Sequence, residues 1–122
     1  MILYHYSNAK VKKLSINHFA ENSFSLNDKK ALNVKRLFFY TRIEDRENLL
    51  NGCKYLYSVK INDNKIYNLI EDKKNYKQRF NSIDKLVKAI IKAGYAGIVY
   101  NVGFNVVNIF KNVSVIKTEK LF

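Results

Sequence analysis

The chain is 122 residues long, with 22 Lys+Arg against 10 Asp+Glu, a formal charge of +12, no proline and only four glycines. With 48% hydrophobic and 14% aromatic residues, it falls outside the disordered, collagen-like and linker classes and is long enough for one domain with its own core. A single cysteine, Cys53, rules out an internal disulfide framework and reads as a buried, inert thiol.

The opening run Ile2 to Tyr6, rich in β-branched and aromatic residues and followed by Ser7 and Asn8, predicts the first strand. A polar stretch to about Lys30, anchored by Leu14, Ile16 and Phe19, reads as a surface-crossing loop with a short helix, the 20–33 loop within it, and connections that long are usually functional or mobile. Val34 to Thr41 predicts a second strand with both faces covered. Thr41 followed by Glu44 has capping-box spacing, so 42–51 is expected to be a short helix ending at Gly52.

Residues 53–61 alternate, with Tyr55, Tyr57, Val59 and Ile61 on one side. The turn Asn62-Asp63-Asn64 then leads to a return strand, Ile66 to Leu69. Residues 70–81 are charged and helix-tolerant. The clearest helix is 83–93, where Ile83, Leu86, Val87, Ile90 and Ile91 share one face and Gly94 is the stop. Three strands close the chain: Tyr95 to Val102, Val106 to Phe110 and Val113 to Ile116. Helices segregated from strands mean an α+β single domain rather than a doubly wound one.

The charge excess predicts a polyanionic partner: nucleic acid, an acidic protein face or a phosphate-bearing cofactor. A lysine-rich solvated surface is the competing explanation. Basic residues gather at Lys10, Lys12 and Lys13, at Lys29, Lys30, Lys35 and Arg36, and at Lys73, Lys74, Lys77 and Arg79, interleaved with Asn and Tyr. That mixture suits phosphate contact and base stacking, so Lys29, Lys30, Lys35, Lys73 and Lys74 are candidates for a rim that recruits either a cofactor pyrophosphate or RNA, DNA or a ribonucleoprotein. No apolar run approaches the roughly 18 residues of a membrane span and no leader pattern is visible, so a cytoplasmic protein without a membrane partner is expected.

GxGxxG, Walker, HExxH and CxxC patterns are missing, and His5 and His18 fall in different elements, which argues against dinucleotide binding of the Rossmann type and against a metal enzyme. What stands out is His5 near the end of the first strand, flanked by Tyr4 and Tyr6 and followed by Ser7. An imidazole there, pointing at a cleft, can donate a hydrogen bond to a ribose hydroxyl, and tyrosine rings can stack on a base or on nicotinamide. Arg36, Tyr40 and Thr41 add a cation, an aromatic ring and a hydroxyl at the next strand. Half-buried strand tyrosines and a satisfied core histidine are the bland alternative.

LYHYS at 3–7, FFYT at 38–41, YLYSVKI at 55–61, a helix ending in AGYAGIVY at 93–100 and NVVNIF at 105–110 together resemble the ADP-ribosyltransferase-like superfamily across nearly the whole chain. The resemblance implies that fold, with packed antiparallel or mixed sheets and short peripheral helices. It implies NAD as cofactor, His5 holding the cofactor ribose with Tyr6 or Ser7 adjacent, and Tyr40 and Thr41 flanking nicotinamide. It further implies mono-ADP-ribosyl transfer to a macromolecule by a small bacterial or phage effector.

Where that family carries a catalytic glutamate, this chain has no acid between Lys85 and Thr118, and Asn105 or Asn108 takes the place. Three readings follow. In the first, a transferase takes its carboxylate from Glu44, Glu47, Glu71 or Asp72. In the second, a non-catalytic binding or inhibitor protein acts on nucleic acid or a host nucleoprotein complex, as in a defence system. In the third, a site using Asn105 carries out a slower glycosidic reaction such as NAD hydrolysis.

Overall fold

A computed structural model describes residues 1–7, 10–16, 36–42 and 53–121. Nine strands fall in these segments: β1 (Ile2–Ser7), β2 (Lys13–Leu14), β3 (Leu37–Tyr40), β4 (Tyr55–Lys60), β5 (Ile66–Asn68), β6 (Gly97–Asn101), β7 (Asn105–Ile109), β8 (Val113–Ser114) and β9 (Lys117–Lys120). Two helices, α1 (Tyr76–Arg79) and α2 (Ile83–Lys92), lie between β5 and β6, and a 3-10 turn covers Asp63–Lys65. All but the first residue of the predicted helix at 42–51, together with the 20–33 loop, His18, Lys29, Lys30, Lys35, Glu44 and Glu47, lie outside the described residues.

Seven strands form one mixed sheet in the order β5-β6-β7-β3-β1-β4-β9, antiparallel throughout except for the parallel pair β5–β6. β2 and β8 form a separate two-stranded sheet. The architecture is therefore α+β, with few helices. No helix among the described residues is long and apolar enough to cross a membrane.

One side of the large sheet, called here the inner face, carries Leu3, Leu37, Phe39, Tyr57, Val59, Val107 and Ile109. The β2–β8 pair covers it with Leu14 and Val113, supported by Val11, Ile16 and Val115. Two hydrogen bonds hold the cover, from the Val11 N–H to the Tyr57 hydroxyl at 2.9 Å and from the Ile16 N–H to Asn112 Oδ1 at 2.9 Å. The other side, the outer face, carries Tyr6, Phe38, Tyr40, Leu56 and Val106 at its centre. Toward β5 and β6 the outer face is covered by α2, whose Leu86, Val87 and Ile90 pack on Tyr67 and Ile98.

Several expected elements move. The return strand does not fold back on β4; β5 crosses to the far edge of the sheet and pairs in parallel with β6. A parallel pair needs a crossover, and the 70–92 segment with its two helices provides it. Of the helix-tolerant 70–81 stretch only Tyr76–Arg79 is helical. Ile83, placed on the buried helix face by periodicity, is 51% exposed at the first turn of α2. Lys13–Leu14 is a strand where a loop with a helix was expected, and β9, which the sequence did not signal, pairs with β4.

Two glycines hold the segment around α2 and β6 in place. Gly94 has φ +101 just past the helix, where only a residue without Cβ turns at low cost. Gly97 opens β6 so close to β7 that a Cβ would stand 2.5 Å from the Asn108 carbonyl oxygen and 2.6 Å from Ile109 Cδ1.

Candidate functional site

The three strands that carry LYHYS, FFYT and NVVNIF are neighbours in the sheet, in the order β1, β3, β7. Their register decides which side chains meet. Tyr4 is opposite Tyr40, and Phe39 is opposite Val107, so His5, Phe39 and Val107 form one row across the inner face, extended by Tyr57 opposite His5 on β4. The His5 and Phe39 ring centroids are 5.5 Å apart. Asn105 lies two residues from Val107 on β7 and Ser7 two residues from His5 on β1, so both belong to the same side by strand periodicity.

Tyr6 and Tyr40 point the other way. Their rings are 6.1 Å apart on the outer face, and Tyr40 also meets Phe104 at 6.0 Å. Arg36 joins them: it is 1% exposed, with its guanidinium 5.1 Å from the Phe38 ring centroid. The candidate site residues His5, Tyr6, Ser7, Arg36, Tyr40, Thr41 and Asn105, expected from sequence to line one cleft, are thus divided by the sheet, with His5, Ser7 and Asn105 on one side and Tyr6, Arg36 and Tyr40 on the other. Thr41 follows β3 directly and is half-buried.

Phe39 is the aromatic residue that shares a face with His5, and residue-type matching passed it over. It is 0% exposed, so it supports the imidazole rather than offering a stacking surface. The signal that finds it is parity: a residue on β3 shares the face of His5 only if its register partner on β1 does.

His5 Nδ1 lies 2.7 Å from the Phe38 carbonyl oxygen. A carbonyl only accepts, so Nδ1 carries the proton and donates. Burial lowers the His5 pKa below 6.5, against a smaller opposing effect of that bond, which keeps the ring neutral near pH 7. Nε2 is then an acceptor. A ribose hydroxyl would donate to His5, the reverse of the polarity expected from sequence.

Asn105 Oδ1 accepts from Asn101 Nδ2 at 3.0 Å across the β6–β7 turn. Asn108 is on the outer face, buried, with Nδ2 donating to the Tyr100 hydroxyl at 3.2 Å. The described acids stand elsewhere. Asp63 pairs with the N-terminal amine at 2.8 Å, Glu71 with Lys73 at 3.6 Å and Asp84 with Lys88 at 2.8 Å, while Glu119 is on the outermost strand β9.

Asp72 is the hub of a separate cluster. It accepts from the Tyr67 hydroxyl in a short bond and from the backbone N–H groups of Tyr76 and Lys77 at 3.0 Å each. Desolvation works to raise its pKa, but these donors together outweigh it and hold the carboxyl below the usual 3.8. Burial and the Asp72 carboxylate push the Tyr67 phenol up to about 12. Lys74, a candidate partner residue, donates from Nζ to the Tyr95 hydroxyl at 2.8 Å, and Lys73 carries the Glu71 contact. Both remain exposed, and Arg79 lies over the Tyr76 ring at 4.8 Å, so this corner joins cations to aromatic rings.

A cavity of about 450 Å³ opens on the outer face between α2 and β6, with Asn108 and Tyr100 among its lining and without His5. Among the described residues, no three His, Cys, Asp or Glu side chains are grouped as metal ligands. Cys53 is half-buried at the edge of the outer-face cluster. Comparison with protein-family models, with curated proteins and with solved structures finds no match to this chain.

Proposed function

We propose that this is an ADP-ribosyltransferase-like domain that takes NAD at His5, the half-buried member of an inner-face row whose other residues are fully buried, and transfers ADP-ribose to a macromolecule. The observation that carries the reading is the adjacency of β1, β3 and β7, which puts His5 and Asn105 on one face of three neighbouring strands. In this reading the Nε2 atom of His5 accepts a hydrogen bond from a ribose hydroxyl, and Phe39 holds the imidazole ring from behind. Nicotinamide loss builds positive charge on the ribose, so turnover calls for a carboxylate near it. Glu44 and Glu47, on the segment that follows β3, are the candidates.

A second reading is favoured by the positions of the acids. Asn105 stands where the resemblance expects glutamate, and each described acid is either bonded elsewhere or far along the sheet from β7. An amide orients a hydroxyl but supplies no negative charge. A binding or inhibitor protein that engages NAD or a nucleoprotein partner without turnover fits those positions.

Labelled NAD incubated with a panel of protein and nucleic-acid acceptors separates the two. The transferase reading expects label transfer and nicotinamide release by the wild type, with loss of both in His5→Ala. Silence of the wild type, together with nicotinamide release appearing in Asn105→Glu, supports binding without turnover. Silence in both, with no NAD bound, contradicts the whole proposal.

A further inference from the structure

The outer-face cavity has an organisation of its own. Its walls are aliphatic, from Leu86 and Val87 on α2 and Ile98 on β6. At about 450 Å³ it is the size of a small-molecule site, and the sheet separates it from His5. Ile70 and Ile83 stand at its lip, 46% and 51% exposed, two large apolar side chains left in water beside an apolar opening.

Two features give the cavity polarity. Asn108 is 5% exposed in the middle of a strand whose outer-face neighbours are apolar or aromatic, and it lines the cavity floor. A carboxamide has two N–H donors and an oxygen with two lone pairs; the Tyr100 hydroxyl accepts from one donor at 3.2 Å and lies 3.5 Å from the oxygen, which leaves the second N–H and a lone pair for a ligand. Burying the amide there costs more than burying a leucine of similar size unless the remaining capacity is used. At the lip, Lys77 is the one charged residue among the described lining, and the carboxylate whose charge it meets, Asp72, stands outside that lining.

We propose that this cavity binds a small organic acid with an apolar body. The carboxylate meets Lys77 at the lip, the hydrocarbon lies between α2 and β6, and a hydroxyl at the inner end bonds the Asn108 amide. The site is independent of the inner face and of the NAD reading.

An NMR titration of the folded, isotope-labelled chain with 8-hydroxyoctanoate tests this, with octanoate and 1,8-octanediol as the acid lacking the hydroxyl and the diol lacking the charge. Saturable amide shifts are expected at Val87, Tyr100 and Asn108. Octanoate should bind about fivefold more weakly for want of one buried hydrogen bond, and the diol about threefold more weakly for want of a surface ion pair. Lys77→Met, an exposed substitution that keeps the apolar stem, should erase the difference between 8-hydroxyoctanoate and the diol. Asn108→Leu should erase the difference between the two acids. No saturable shift at millimolar acid, shifts centred on β1 and β3, or unchanged preference in Lys77→Met would overturn the proposal. So would a concentration-dependent dimer in sedimentation that excludes the acid, because a second copy would then be the occupant.

Discussion

The Nδ1 proton of His5 is committed to the Phe38 carbonyl, and burial beside Phe39 makes the imidazolium costly. An NMR titration of the ring should therefore give a midpoint below 6.5. The same shift makes stability depend on pH. In the window below 6.5 and above the folded-state value, the unfolded chain binds a proton that the folded chain does not, so stability rises with pH across it. The contribution of His5 is complete above 6.5 and is lost as the pH falls through that window. His5→Phe should flatten this part of a denaturation-versus-pH curve. Gly97 is the second position where one residue decides. Alanine there would set Cβ 2.5 Å from a backbone oxygen in the neighbouring strand, an overlap that only a shift of β6 relieves. Gly97→Ala should lower unfolding stability by about 2 kcal/mol in denaturant melts.

At the scale of elements, α2 is held by burial and the 68–79 segment by hydrogen bonds. Ile90 on α2 is fully buried against Tyr67 and Ile98, and Ile90→Ala should cost about 3 kcal/mol. Asp72 instead gathers the Tyr67 hydroxyl and the first backbone N–H groups of α1, and Asp72→Ala should cost about 1 kcal/mol. Its loss should leave α2 protected and expose the Tyr76 and Lys77 amides to hydrogen exchange.

The contrast explains what was legible in the sequence. Helix α2 was readable because its apolar spacing and its stop at Gly94 report the same packing that stabilises it. β1, β4, β6 and β7 were readable from alternation and β-branched content. β9 was not, because all four of its residues are exposed and its pairing with β4 comes from backbone hydrogen bonds. The parallel pairing of β5 was invisible for a related reason: local turn chemistry at Asn62 to Asn64 favours reversal but does not choose the partner strand. The site was legible as strands and not as faces. His5 and Tyr40 were both found at strand ends, but only the register of β1 against β3 shows that the sheet stands between them.

For the whole molecule, the formal charge of +12 is the broadest constraint. If the exposed Lys73 and the cation–aromatic corner around Arg79 help recruit a polyanion, affinity for a single-stranded RNA should fall steeply as salt rises from about 50 to 200 mM. Lys73→Gln and Arg79→Gln should each reduce that slope by about 0.7, the contribution of one phosphate contact on a single strand. A salt-independent affinity would assign the charge to solubility instead.

The central claim is that the inner face around His5 receives NAD. Isothermal titration of the folded protein with NAD, wild type against His5→Ala, tests it most directly. The account predicts saturable one-site binding to the wild type and a loss of about tenfold in affinity for His5→Ala, the effect of removing a hydrogen-bond acceptor and its ring packing together. No heat from the wild type, or equal affinity in both proteins, would contradict it.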